Sequence, residues 1–567
     1  MYNDYYNFKL PIEFLKNKFK ILENLKTDLE LEKTIDPSNI SIYNYVFHPK
    51  TELGKSGISL WSKYYTNNKK FLKESQDLYA QINNFPFEKQ IIENMLTSWR
   101  EIRGQNNFIE TFQYIEWDKI KWLNESSTFL SILSFYNISS PVIQLIAPFF
   151  ILLIPFAVLK AMNLPITWPT YYKILIENLK HHAIGKLIVS FGSVSTGQKI
   201  YILFCIGMYL YNIYQNILSC YRFYKNSYYI CSQFETINTY LDYTIEKIKF
   251  FTSISNKYNT YKKFNKNLLI YKEKLQDFHN AIRNMPLNTT KLGKLAYIGK
   301  LMKYFYLLYD SAEIENMIEF SFGFHGYIDN IIGINNNIVN KKLNVCKFSK
   351  KICFKLKKMY HPAIKDPIKN NIDINKNIII TGPNAAGKTT IIKATIINLL
   401  LTQQIGYGFF DDGKSGTFDY IHCYLNIPDS CSRDSLFQSE ARRCKDILSC
   451  IENNSNKRHF CIFDELYSGT NPYEAISSAY AYLHYISKYK NVRFLLTTHY
   501  IRLCKLFNKV SNIKNKSMET DIQTDIPIYK YNIINGISTI KGGVSVLKEL
   551  GYPDNIIKSA MEILEKI

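Results

Sequence analysis

Asn377-Ile378-Ile379-Ile380-Thr381-Gly382-Pro383-Asn384-Ala385-Ala386-Gly387-Lys388-Thr389-Thr390 is the stretch that decides how this chain is read. Three consecutive isoleucines predict a buried strand. They run directly into Gly-x-x-x-x-Gly-Lys-Thr, and a helical run follows from Ile391 to Leu401. A strand, loop and helix in that order turn successive backbone N–H groups towards one concavity, and the helix N-terminus adds partial positive charge there. The pattern predicts a polyphosphate-binding loop, with Lys388 reaching the β/γ-phosphates and the Thr389 hydroxyl on Mg²⁺.

Two further strand ends belong with this loop. His459-Phe460-Cys461-Ile462-Phe463-Asp464-Glu465 reads as a buried strand ending in two carboxylates. Asp464 falls where a Mg²⁺ partner is needed, and Glu465 where attacking water must be oriented and deprotonated. Val492-Arg493-Phe494-Leu495-Leu496 predicts a third strand, ending in Thr497-Thr498-His499-Tyr500. His499 thus stands at the carboxyl end of a parallel strand, where such sheets bind ligands.

With 567 residues the chain is long enough for three or four domains. Its formal charge of +22 points to nucleic acid or an anionic surface. The abundance of Lys, Asn, Ile and Tyr, with 44 tyrosines, equally fits an AT-rich coding sequence. The 11 cysteines begin at Cys205 and include no Cys-x-x-Cys pair. They read as neither a disulfide framework nor a zinc site, which fits a reducing compartment. Asp4, Lys9 and Glu13 break any apolar opening, so no signal peptide is expected.

Residues 1–125 show helical spacing, as in Phe14-Leu15-x-x-x-Phe19-x-Ile21-Leu22, with a turn at Asp36-Pro37-Ser38-Asn39. Trp99, Trp117 and Trp122 read as core or membrane-interface anchors. From Ser126 to Leu159 there is no charged residue, and a second uncharged run spans Ile200 to Tyr221. Each reaches the ~20 residues with which a helix crosses a ~30 Å hydrocarbon core. Two spanning helices are the simplest account; buried core helices are the alternative, since Pro148 and Pro155 would kink the first and Tyr209, Asn212, Tyr214 and Gln215 wet the second. The connecting loop carries Lys160, Lys173, Lys180, Lys186 and Lys199 against Glu177, which conflicts with the positive-inside tendency. Residues 223–345 return to long charged helical patterns, an arm leading into the phosphate-loop domain, with Asn335-Asn336-Asn337 reading as a turn or loop.

The expected architecture is an α/β P-loop domain over 346–567 preceded by mostly α-helical domains. These are an N-terminal helical domain (1–125), a transmembrane hairpin with its connecting loop (126–222) and a helical lever (223–345). The P-loop domain is expected on the cytoplasmic side of a membrane; a soluble cytoplasmic protein is the alternative.

Together, Thr381-Gly382-Pro383-Asn384 leading into Gly387-Lys388-Thr389-Thr390, Asp464-Glu465-Leu466-x-Ser468-Gly469-Thr470-Asn471-Pro472, and Thr497-Thr498-His499-Tyr500 resemble the ATPase domain of the MutS family of DNA mismatch repair proteins. The Gly-Thr-Asn-Pro form is closer to the branch lacking mismatch-reading domains. Tyr360-His361-Pro362, Ser435-Leu436-Phe437-Gln438-Ser439-Glu440 and the closing Gly551-Tyr552-Pro553 extend the likeness over about residues 345–567.

The resemblance implies an ABC-type ATPase that binds ATP and Mg²⁺, works as a homodimer through the ATPase domain, and has DNA as a partner. Carried over by residue, Gly382, Pro383, Asn384, Ala385, Ala386, Gly387, Lys388, Thr389 and Thr390 hold the phosphates. Thr389 and Asp464 hold Mg²⁺, Glu465 is the catalytic base and His499 the switch. Ser435 completes the partner's site in trans, and His361 and Pro362 lie on the adenine side. Ala385-Ala386 departs from the family's Met-Gly. No amino-terminal reading domain carrying a Phe-x-Glu mismatch wedge and no nuclease tail is expected, which puts mismatch reading in doubt. Three functions follow: a membrane-anchored MutS-like ATPase, a soluble mismatch repair factor, or a mechanical or scaffold ATPase at a membrane that does not bind DNA.

Overall fold

The Ile378–Ile380 run forms the predicted strand. β1 (Asn377–Thr381) is buried at every position and lies inside a six-stranded sheet. The others are β2 (Tyr420–Tyr424), β3 (His459–Asp464), β4 (Val492–Thr498), β5 (Ile513–Gln523) and β6 (Ile526–Asn535), in the spatial order β6-β5-β1-β4-β3-β2. All neighbours are parallel except β5 and β6, which pair as an antiparallel edge. The computed structural model describes residues 7–163, 165–181, 183–189, 192, 195–283, 295–425, 435–523, 526–540, 544, 547–548 and 550–566.

Both faces of the sheet are covered, which is why its strands read as near-continuous apolar runs rather than alternating ones. On one face Cys461 and Phe463 of β3 pack with Cys444 and Ile447 of α2 (Leu436–Asn453), Ala475 and Leu483 of α3 (Pro472–Ser487), and Leu503 of α4 (Ile501–Phe507). On the other, Phe460 meets Phe354 and Phe418, with ring centroids 5.9 and 5.1 Å apart. Also packed on the sheet is α1 (Lys388–Gln404), buried along nearly its whole length. A five-stranded, mostly antiparallel sheet (Asn370–Asp373, Phe354–Met359, Asp412–Gly416, Asn344–Ser349, Tyr407–Gly408) also packs on α1.

The polar end of α1 shows how the N-terminal segment belongs to this body. Gln403 donates to Phe418 O (2.8 Å) and Thr66 O (3.2 Å), and Gln404 donates to Trp61 O (2.6 Å) and accepts from Tyr43 Oη (3.0 Å). Buried amides need such partners, and most of these come from residues 43–66. By contacts the chain forms two compact units, 1–89 with 248–271 and 319–567, and 90–247 with 272–318. These units interleave in sequence, unlike the consecutive blocks 1–125, 126–222, 223–345 and 346–567 expected from the sequence.

Asn335-Asn336-Asn337 is not a loop. It lies in the helix Ala312–Val339, where Asn335 donates to Tyr79 O (2.7 Å) and Asn337 to Val46 O (2.9 Å) and Tyr45 O (3.0 Å). The asparagines satisfy carbonyls at the ends of neighbouring helices, a tertiary use that local turn propensity does not reveal.

The second unit is helical, built on Ser127–Ile146, Leu295–Asp310 and most of the 60-residue helix Thr196–Ser255. Among the described residues one helix, continued by 3-10 turns over Ser127–Phe150, is long and apolar enough to cross a membrane. The run Ile200–Tyr221, interrupted by Asn212, Gln215 and Asn216, does not meet that measure. Each proline in the first run has a hydroxyl beside it. Pro141 withholds an N–H from Asn137 O, and Ser140 Oγ donates there (3.3 Å). Tyr209 Oη donates to Gln144 O (2.8 Å), four residues before Pro148, and Tyr171 Oη to Leu152 O (2.6 Å), three before Pro155. Large side chains stay outward along both runs, among them Phe135, Val142, Phe149, Ile200, Phe204 and Leu210. Of the three tryptophans, Trp99 is buried and Trp117 and Trp122 are exposed.

Helix Ala312–Val339 touches backbone at Gly333, where an added Cβ would lie 1.5 Å from Phe47 O. A backbone carbonyl cannot swing aside as a side chain can. Gly333→Ala is therefore expected to cost about 3 kcal/mol, the upper end for overpacking, read as a lowered melting temperature; an unchanged melt contradicts this contact.

Candidate phosphate-binding site

The loop between β1 and α1 closes at the carboxyl end of the sheet. Its geometry requires glycine at 387, where φ is +87° and a Cβ would stand 3.0 Å from the Tyr531 ring. Ala385 also takes the left-handed region, at φ 63°. Lys388 turns back into the loop, its Nζ donating to Gly382 O (3.0 Å) and Pro383 O (3.1 Å), with Asn384 Oδ1 at 3.5 Å. It is 6% exposed, and that burial pushes its ammonium below the usual lysine range, against the pull of Glu465. A buried cation held mainly by its own loop's carbonyls suits the capture of an anion.

The two carboxylates take different partners. Asp464 Oδ2 accepts from Thr389 Oγ1 (2.8 Å), and its other oxygen accepts from Thr497 Oγ1 at the end of β4. Glu465 leaves β3 in the left-handed region (φ 49°), its N–H donating to Thr497 O (3.0 Å). Its Oε1 lies 3.6 Å from His499 Nδ1 and 3.7 Å from Lys388 Nζ. The neighbouring His499 ring, more than the lysine's charge, holds this carboxyl below the usual glutamate range in spite of burial. Glu465 is thus a carboxylate at neutral pH, as a proton acceptor must be.

Thr389, Lys388, Asp464, Glu465 and His499 are brought together at the carboxyl end of the sheet. Ser435 has a different engagement: it is exposed and caps α2, its Oγ accepting from Gln438 N (3.3 Å) while Gln438 Oε1 accepts from Ser435 N (2.9 Å). His361 lines a cleft of about 460 Å³ that reaches the loop at Ala385, Gly387 and Thr390, walled by Tyr360, Met518 and Tyr531. Burial pushes the His361 imidazole down to about 4, so it is neutral at pH 7 and its Nδ1 accepts from Ala363 N (3.3 Å).

Sequence reasoning missed several groups. Glu440, 2% exposed, receives Ser468 N (3.0 Å), Ser468 Oγ (3.0 Å) and Gly469 N (3.1 Å), clamping the loop after β3 to α2. Asn471 then caps α3 through Glu474 N (3.0 Å) with Pro472 in its first turn, so part of the Gly-Thr-Asn-Pro motif is a helix start. Asn370 ties β6 to the cleft, donating to Tyr531 O (2.9 Å) and accepting from Ile533 N (2.7 Å). The Ser/Thr-rich strand ends were the signal for Thr497; nothing in the sequence marks Asn370.

A phosphate loop joining a parallel strand to a helix, an acid pair at the end of a second strand and a cleft beside the helix N-terminus define a P-loop ATPase domain. Residues 378–567 match the family model for MutS domain V, the ATPase domain of that family. The chain is 34% identical over 217 residues to the DNA mismatch repair protein MutS of Persephonella marina, covering 37% of this chain and 24% of that protein. It is 31% identical over 245 residues to the Endonuclease MutS2 of Streptococcus uberis (42% and 31%) and 32% over 234 residues to that of Finegoldia magna (40% and 28%). The chain thus spans less than a third of the length of these relatives.

Replacing the buried ammonium tests the loop. Lys388→Ala is expected to weaken a fluorescent ATP analogue roughly 10- to 100-fold, the worth of about 1.5–3 kcal/mol for hydrogen bonds to a charged group; equal affinity in a titration contradicts the assignment.

Proposed function

We propose that this protein binds and hydrolyses ATP with Mg²⁺, works as a homodimer through its MutS-like domain, and is anchored in a membrane by its apolar helices. The observation that carries the ATPase reading is the continuous set of contacts from Thr389 through Asp464 to Thr497, and from Lys388 through Glu465 to His499.

In this reading the loop N–H groups and Lys388 bind the phosphates, Lys388 exchanging its contacts with Gly382 O and Pro383 O for phosphate oxygens. Thr389 and Asp464, already paired, are the residues that would hold Mg²⁺, which when bound neutralises charge on the phosphates. Glu465 takes the proton of the attacking water, and His499 orients that carboxylate and senses the γ-phosphate. The cleft beside Ala385 and Gly387 receives the nucleoside, with His361 as a neutral wall. Ser435, at the exposed N-terminus of α2, faces the nucleotide of a second copy in the dimer.

DNA is proposed as the partner on the names of the relatives, a DNA mismatch repair protein and endonucleases, and on the +22 charge. Outward apolar side chains in the second unit favour a membrane-anchored form over a soluble repair factor, with the ATPase domain on the cytoplasmic side. Only 17% of the apolar window in Ser127–Phe150 is buried. Hydroxyls meet the carbonyls near its prolines, as lipid demands where water is absent.

Glu465→Gln is expected to retain ATP binding and lower turnover about 10²- to 10⁴-fold, the usual contribution of a general base; unchanged hydrolysis removes Glu465 from the mechanism. The intact chain is expected in the carbonate-washed membrane pellet, released by detergent. Recovery as a monodisperse species without detergent contradicts the anchor.

A further inference from the structure

His459 opens β3 at the end opposite Asp464, so roughly 16 Å of strand separates it from the phosphate loop. Its ring lies beside that of His422 on the edge strand β2, with 6° between the ring planes and 3.1 Å between His422 Nε2 and His459 Nδ1. From α2, half-buried Cys450 brings in its sulfur. The three donor atoms all lie within 4.8 Å of one another. His422 and Cys450 line a cavity of about 320 Å³, as does Asp446, one helical turn before Cys450.

The protonation pattern suits a metal. His459 Nε2 is 3.1 Å from Asn454 O, which can only accept, so the proton sits on Nε2 and the lone pair of Nδ1 faces the cluster. A ligating histidine is oriented in this way by a carbonyl behind it. Around tetrahedral Zn²⁺ with bonds of about 2.0–2.1 Å to nitrogen and 2.3 Å to sulfur, two nitrogens stand roughly 3.3 Å apart and a nitrogen and a sulfur roughly 3.5 Å. The two histidines already have nearly the first spacing; each ring turns out of their linear hydrogen bond so that both lone pairs meet on the metal, and Cys450, within 4.8 Å of both nitrogens, moves in to reach the second.

We propose that His422, Cys450 and His459 form a zinc site that fastens α2 to the β2–β3 edge, with the fourth position taken by Asp446 or water. Binding releases the Cys450 thiol proton to solvent, and the His422 proton moves from Nε2 to Nδ1, so the histidine–histidine hydrogen bond is exchanged for two metal bonds. Cysteine spacing could not reveal this site, because its ligands come from a strand, a helix and a second strand.

The test uses the full chain, stripped by chelator and titrated with Co²⁺ and then Zn²⁺. One equivalent of Co²⁺ is expected to give ligand-field bands of tetrahedral intensity with a thiolate-to-cobalt charge-transfer band, both removed by Zn²⁺. Cobalt at the Mg²⁺ site would lack the thiolate band, so failure here and failure of the ATPase reading are distinguishable. Cys450→Ser is expected to lose the band and weaken Zn²⁺ by at least the 10- to 100-fold typical of outer-shell changes, with Cys205→Ser as the unaffected control. The melt of metal-free Cys450→Ser, matched to that of the metal-free parent, reports that it folds; His422→Gln is the second variant if it does not. Octahedral cobalt alone, or a band that survives in the folded variants, overturns the site.

Discussion

The carboxylate of Asp464 is the tie on which the ATPase site depends. One oxygen accepts from Thr389 in the first turn of α1 and the other from Thr497 at the end of β4. Three consecutive neighbours in the sheet, β1, β4 and β3, therefore end in register around one charged group. Such hydrogen bonds to an ionised acceptor are about twice as strong as neutral ones and demand closer alignment. The parallel pairing of Asp464 with Thr497 and of Thr498 with Thr381 sets that alignment in the backbone, and the side chains reinforce it.

This register holds only if α1 stays fixed, and α1 has little freedom to move. Its apolar faces are enclosed, and its far end is held by Gln403 and Gln404 through carbonyls of residues 61–66 and 418. The N-terminal segment thus acts on the site at a distance, by immobilising the helix that presents Lys388 and Thr389. Breaking one of those amide contacts leaves a buried polar group unpaired, which costs about 1–3 kcal/mol.

What could be read beforehand follows from the range of each interaction. The phosphate loop, the acid pair and the histidine at a strand end were legible because each is a local pattern with a fixed chemical demand. Lys388, Asp464, Glu465 and His499 accordingly lie where the spacing places them. Asn335 and Asn337 misled, since asparagine in a loop and asparagine closing another helix look alike in one dimension. Glu440 and Asn370 stayed invisible as anchors for the same reason: their partners are far along the chain and are chosen by packing. Interleaving of residues 1–89 and 248–271 with the ATPase body has no local signature at all.

Helix α2 shows how these long-range ties combine. Near its N-terminus Ser435 is engaged by its own cap, and Glu440 grips Ser468 and Gly469 just after the acid pair. Ten residues on, roughly 15 Å along the axis, Cys450 meets the histidines of the sheet edge. With the proposed zinc in place, this rod would be pinned at two separated points and could neither slide nor tilt without breaking one of them. Displacement at the β2–β3 edge would then reach the loop behind Glu465 through a rigid element. The proposed contact of Ser435 with a second copy would load the same rod from its other end, which makes the stiffness of α2 the quantity linking dimer contact to the position of the base.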